Sequence, residues 1–295
     1  ATLQGVDFYV LTPGADYALT SAQAKYSKVT SNGTLGALGL AGLISIRGVA
    51  GEDFTNTLIA AGITGCDLLL LSTTQNYTMT ADQARIARMV DTTGVAGKSG
   101  ALGSAGVITV KADSASTDLT AIGTDSNDVI VLGGGLNYTL TATQAQTSTV
   151  ATGSGLGALS KTANLTVLAP SQGGDLSGLA TVMGIQAVVL TAGQKYTLPT
   201  ALASVSKVST PLGTLGNAGD FSNAGPLTAI STSSEDLSTN PLALAATSIV
   251  LSAGQTYTLT SAEAAIARFS TSSALGDLRQ TIAKPGTVTV NVNPN

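Results

Sequence analysis

Apolar residues gather along this chain in short runs separated by hydroxyl-rich and glycine-rich segments. Runs at 7–11, 67–71, 128–132, 186–190 and 248–251 are rich in Val, Leu and Ile, the pattern of short strands buried on both faces of a parallel sheet. Each leads into a phrase that keeps its wording: VLTPGADYALTSAQA from Val10, LLSTTQNYTMTADQA from Leu70, VLGGGLNYTLTATQA from Val131, VLTAGQKYTLPTALA from Val189 and VLSAGQTYTLTSAEA from Val250. Its tyrosines, Tyr17, Tyr77, Tyr138, Tyr196 and Tyr257, are 60, 61, 58 and 61 residues apart by subtraction, and five of the seven tyrosines lie on this lattice. Self-similarity at a nearly constant period is the signature of a repeat architecture.

Within the phrase, the alternation Y-x-[LM]-T predicts a second short strand. Its threonine then opens a helix: Thr20 with Gln23, Thr80 with Gln83, Thr141 with Gln144 and Thr260 with Glu263 each form T-x-x-[QE], a capping box that satisfies free amides of a first helical turn. The fourth copy has Pro199 and Leu202 at those places, so its helix begins differently, with Pro199 in the first turn. The shared tyrosine reads as a column in the core or at its edge, and a ligand-binding ladder is the other reading.

A looser half follows. Glycine-rich links at 35–42, 100–106 and 153–159 lead to strands at 43–46, 107–110, 165–168 and 227–230, and 287–292 holds the same place in the fifth copy. An acidic residue then precedes an apolar one at Asp53-Phe54, Asp118-Leu119, Asp175-Leu176 and Asp236-Leu237. These acids read as helix N-terminal groups, with calcium ligation as the alternative, and Gly62, Gly123 and Gly184 read as helix stops. The fourth copy runs instead through Pro241 and alanines. The fold expected is a β-rich α/β solenoid of short parallel strands with short helices, or an all-β solenoid. It forms one elongated domain over 1–295, with repeats near 1–60, 61–121, 122–180, 181–241 and a truncated 242–295. A unit this small buries its strands only by stacking on neighbours.

Composition narrows the chemistry. Charged residues are 10% of the chain, against roughly a quarter in a typical soluble domain, so solubility rests on hydroxyls. With a net charge of −4 and scattered Lys and Arg, no basic stripe is available for nucleic acid. There is no histidine, and the lone Cys66 excludes an intrachain disulfide and multi-cysteine metal sites. Beside its apolar run, Cys66 reads as a small buried residue. No stretch reaches the roughly 20 apolar residues of a membrane span. The acids recur with the repeat, whereas a catalytic pair occurs once. The adjacent pairs Glu52-Asp53 and Glu235-Asp236 sit at the expected helix starts, so the chain reads as non-enzymatic. No cofactor is called for. Calcium has fragments only, at Gly173-Gly174-Asp175 and 125–128, and no full nonapeptide. Sequons at Asn32, Asn76, Asn137 and Asn164 are candidate glycan acceptors.

The phrase V-x-L followed by Y-T-L-T-x-x-Q-A resembles repeats of very large secreted bacterial surface proteins, adhesins and surface-layer-like proteins exported by one-step secretion. The resemblance covers most of the chain and implies an extracellular or cell-surface location and an assembled or adhesive role. Neither end of the lattice carries a polar cap. Asp7, Phe8, Tyr9, Val10 and Leu11 are already a first strand, while Val288, Val290 and Val292 form the apolar face of a last one. The expectation is a homopolymer, joined head-to-tail through these strands into a filament, sheath or surface layer. The alternative is an adhesin segment that binds glycan or a receptor.

Overall fold

A computed structural model describes residues 9–31, 34–36, 38, 41–55, 66–112, 118–152, 154–209, 212, 214–270, 275–277 and 286–292. They form short strands, nearly all parallel, in six sheets, with a few helices of three to six residues. The chain divides into two compact units, residues 1–136 with 147–162, and residues 137–146 with 163–295.

The same local path recurs in each copy. A lead strand, at Tyr9–Leu11, Leu68–Ser72, Val129–Gly133, Ala187–Leu190 and Ser248–Ser252, turns into a tyrosine strand at Tyr17–Thr20, Tyr77–Thr80, Asn137–Thr141, Tyr196–Pro199 and Tyr257–Thr260. The turn requires left-handed backbone, which glycine adopts without steric cost: Gly14, Gly135, Gly193 and Gly254 have φ of 69–79°, and Thr74 takes the place at 61°. A helix follows, at Ser21–Lys25, Ala81–Ile86, Ala142–Thr147 and Ser261–Ile266, and the fourth copy has the 3-10 helix Thr200–Val205. Capping boxes close three of them, at Thr20, Thr80 and Thr260, and Thr141 and Gln144 exchange the same two bonds. Pro199 is itself the cap residue of the 3-10 helix, one place ahead of the first turn.

The chain then runs straight from helix into a return strand that the sequence pattern did not announce, at Ser27–Ser31, Ala87–Val90, Ser148–Thr152, Ser206–Val208 and Ala267–Ser270. It pairs in parallel with its own lead strand, Tyr9 opposite Ser27, Leu69 opposite Ala87, Ile130 opposite Ser148, Val188 opposite Ser206 and Ile249 opposite Ala267, an offset of 18 residues every time by subtraction. A parallel partner needs a crossover of a dozen or more residues. The turn, tyrosine strand and helix supply it, and the tyrosine strand meanwhile joins a different sheet. In three copies a short antiparallel strand, at Thr34–Gly36, Gly155–Gly157 and Leu275–Asp277, covers the edge of the return strand.

Linking strands complete the path, at Ile44–Arg47, Ile108–Ala112, Asn164–Leu168, Leu227–Ser231 and Val288–Asn291. The second-half helices expected after the acidic residues are present in part: the 3-10 helix Ser177–Thr181 follows Asp175, no helix follows Asp118, and residues 56–65 after Asp53 lie outside the described ones. Asp53, Asp118, Asp175 and Asp236 each accept the N–H two residues on, from Thr55, Thr120, Ser177 and Ser238, at 2.8–3.0 Å. These side chains tie Asx turns of sequence D-[FL]-[ST]. Phe54, Leu176 and Leu237 then donate backbone N–H groups to the carbonyls of Thr78, Thr197 and Thr258 of the following tyrosine strand. The segment ending at Gly123 is a turn and that before Gly184 is the 3-10 helix Ser177–Thr181, while Gly62 lies outside the described residues. Pro241–Ala245 is the one α-helix described in this half, capped by Asn240.

Candidate assembly interface

Within each unit, a linking strand pairs with the lead strand of the next copy. Ile46 faces Leu69 and Val110 faces Ile130 in the first unit, and Val167 faces Val188 and Ala229 faces Ile249 in the second. All eight of these side chains are at most 2% exposed, because residues two apart on a strand point to one face and this face is the core. Outward positions between them carry Arg47, Lys111, Thr166 and Thr228.

The residue ten before the lattice tyrosine latches each junction. Asp67 accepts the Ile44 N–H at 2.9 Å and returns its own N–H to the Ile44 carbonyl at 3.0 Å. Asp128 accepts the N–H groups of Ile108 at 2.8 Å and Asp125 at 2.7 Å. Burial drives the Asp128 carboxyl above its ordinary range, against the pull of those two bonds. Gln186 accepts from Leu165 through its amide oxygen, and Thr247 donates both its N–H and its hydroxyl to the Leu227 carbonyl. Three side-chain types thus perform one task, which a search for an invariant residue overlooks.

The strands singled out at the two ends occupy the same two roles. Val288–Asn291 pairs with the tyrosine strand, Leu259 opposite Val290, in the register of Leu19 with Ile46 and Met79 with Val110. Its outer edge has no partner among the described residues. Val290 is 41% exposed and Val292 74%, whereas the counterparts Val110 and Ala112 are 0% and 6%. Tyr9–Leu11 pairs only with its return strand among the described residues, with Val10 55% exposed on the outward face. Asp7 and Phe8 lie outside the described residues.

The lattice tyrosines serve the fold. Tyr77, Tyr138, Tyr196 and Tyr257 are at most 2% exposed, and Tyr77 stacks on Phe54 with ring centroids 6.0 Å apart. The hydroxyls of Tyr17, Tyr77, Tyr196 and Tyr257 accept the N–H groups of Thr12, Ser72, Thr191 and Ser252 at 2.8–3.1 Å, closing the turn that precedes them. Cys66 is half-buried, and burial pushes its thiol up to about 11. Among the described residues no three His, Cys, Asp or Glu side chains gather to hold a cation, and no helix is long and apolar enough to cross a membrane. Comparison with protein-family models, with curated proteins and with solved structures finds no match.

Proposed function

We propose that this chain is a non-enzymatic structural protein of the bacterial cell exterior, a β-rich repeat solenoid that self-assembles head-to-tail by adding Val288–Asn291 of one copy beside Tyr9–Leu11 of the next. The observation that carries the reading is the exposure of Val290 at a position that is fully buried in the other four copies, as Ile46, Val110, Val167 and Ala229. Exposed apolar side chains beside unpaired backbone groups form an edge that another strand completes. A joint between different surfaces need not close into a ring, so it propagates into filaments, sheaths or layers. The extracellular assignment rests on the resemblance of the repeat phrase to secreted surface proteins. A glycan-binding adhesin segment is the weaker reading, because four of the five lattice tyrosines that would stack on sugar are buried and the hydroxyls of Tyr77, Tyr196 and Tyr257 are engaged in turns.

Removing residues 287–295 tests the proposal. The full chain should sediment as concentration-dependent oligomers and show regular assemblies by negative-stain microscopy. The truncated chain should keep its β-rich circular dichroism and a cooperative melt but sediment as a monomer. Assemblies of the same form from a truncated, folded chain would overturn the reading.

A further inference from the structure

We propose that a cleft in the second copy binds an acidic saccharide, with Arg47 pairing to the sugar carboxylate and Asp91 accepting hydrogen bonds from ring hydroxyls. The cleft measures about 460 Å³, within the range of roughly 300–1,000 Å³ typical of small-ligand sites. It is lined by Leu70, Thr73 and Thr74 of the lead strand and its turn, by Val90 and Asp91 where the return strand ends, and by Arg47 of the neighbouring linking strand, directly opposite Leu70. None of these residues belongs to the strands of the proposed assembly, so the site stands apart from that reading.

Arg47 is exposed, and its guanidinium makes no ion pair or hydrogen bond among the described residues. Its outward row continues through Leu70 to Arg88, so two arginines flank one lead strand, about 10 Å apart at the usual strand spacing. Arg88 donates its Nε–H to the Ser99 hydroxyl at 2.9 Å, which leaves Arg47 as the cation open to a ligand. The matching rows of later copies read Lys111–Val131–Thr149, Leu168–Val189–Lys207 and Ile230–Val250–Arg268, none with a cation on both sides. A guanidinium meets a carboxylate through two parallel N–H bonds.

Asp91 decides what kind of anion fits. Its Oδ1 accepts the Thr93 hydroxyl, the Thr93 N–H and the Val95 N–H at 2.7–2.9 Å. These bonds, the Thr93 hydroxyl first, hold the carboxyl below its ordinary range and leave Oδ2 to accept from a ligand. A bare anion such as sulfate would meet the repulsion of that charge. A uronate carries a carboxylate and hydroxyl donors on one ring, and so answers both Arg47 and Asp91. The hydroxyls of Ser72, Thr73 and Thr92, unpaired among the described residues, add further polar contacts, while Leu70 and Val90 supply apolar surface for the ring C–H groups. Thr74 marks the same place. Its φ of 61° is left-handed backbone that the other four copies assign to glycine, and strain of this kind gathers at ligand clamps.

Titration calorimetry of the full chain with digalacturonate tests the site. Binding should saturate, and both the neutral digalactose and sodium sulfate should bind at least tenfold more weakly. Arg47→Gln should weaken digalacturonate at least tenfold at an unchanged melting midpoint. Lys111→Gln, the same change at the matching position one copy later, should bind as the native chain does. Asp91→Asn should weaken digalacturonate and strengthen sulfate, because the repulsive charge is gone. No saturable heat at millimolar digalacturonate, or native affinity in Arg47→Gln, overturns the site. Digalactose binding as tightly as digalacturonate overturns the role of the carboxylate. Sulfate binding as tightly overturns the saccharide, and unchanged binding in Asp91→Asn removes Asp91 from the site.

Discussion

Glu263 is a capping-box residue that carries a carboxylate where the first three copies carry an amide. Its Oε2 accepts the Thr260 N–H at 2.6 Å, but its Oε1 is buried with no hydrogen-bond partner. In the second copy the matching group is the Gln83 amide nitrogen, which donates to the Phe54 carbonyl at 3.4 Å. A buried polar atom left unmatched costs about 1–3 kcal/mol. Glu263→Gln should therefore stabilise the chain by about that amount, read as a higher urea midpoint, and a lower midpoint would count against the unmatched oxygen. Thr74 stores strain of another kind, a β-branched residue at φ 61° where four copies use glycine. Thr74→Gly should raise the midpoint by about 1 kcal/mol, the cost of left-handed backbone. Cys66 links stability to pH. Its thiol holds its proton to about 11 in the folded chain against 9.0 otherwise, so the folded state binds more protons between those values. Stability should fall as pH rises from 9 to 11, and Cys66→Ala should flatten that slope in thermal melts. At pH 8 the folded thiol should alkylate far more slowly than the unfolded one, because the thiolate is the nucleophile.

Among elements, the helices of five or six residues are far too short to stand alone. They persist because capping boxes hold their first turns and strands hold both ends. Thr80→Ala should cost about 0.5–2 kcal/mol, and Tyr77→Phe about 1 kcal/mol by leaving the Ser72 N–H without its acceptor. Both variants should assemble as the native chain does once folded, which sedimentation at matched fraction folded will check. The elements that the sequence disclosed are those with a periodic or chemical mark. Lead and linking strands are apolar runs, and T-x-x-[QE] names its own helix start. The return strands were missed because A-R-M-V at 87–90 and S-T-V-A-T at 148–152 follow a helix with no glycine or proline break. Only the constant offset of 18 residues from the lead strand betrays them, and offset is visible only after pairing. The acidic residues are ambiguous for a related reason. An aspartate before an apolar residue suits a helix start and an Asx turn equally, and the hydroxyl residue that follows, Thr55, Thr120, Ser177 or Ser238, was the signal for the turn. The candidate interface was legible as far as strand identity, but its latch is spread over Asp, Gln and Thr and so shows no motif.

At the scale of the whole molecule, the same side chain has opposite consequences depending on whether a neighbour already covers it. Val110 and Val290 hold one place in the repeat and face the same way, yet Val110 is fully buried and Val290 is 41% exposed. A lysine at Val110 would put a charge against Ile130 in the core, and a buried charge without a partner costs several kcal/mol. Val110→Lys should therefore unfold the chain or lower its melting midpoint sharply. A lysine at Val290, or at Val292 with its 74% exposure, keeps its ammonium in water in the isolated chain. Val290→Lys and Val292→Lys should leave the melting midpoint of the dilute protein unchanged and raise the concentration required for assembly at least tenfold, since the charge must be desolvated only when a second strand arrives. Because the joint is formed by valines and backbone groups, added sodium chloride should not restore assembly of these variants, whereas screening would rescue an interface built on repulsion between whole chains. Analytical sedimentation of the three variants over a range of protein and salt concentrations separates these outcomes. Assembly of Val290→Lys at the native threshold would show that this edge stays open to solvent when copies meet, and head-to-tail growth through Val288–Asn291 would then be excluded.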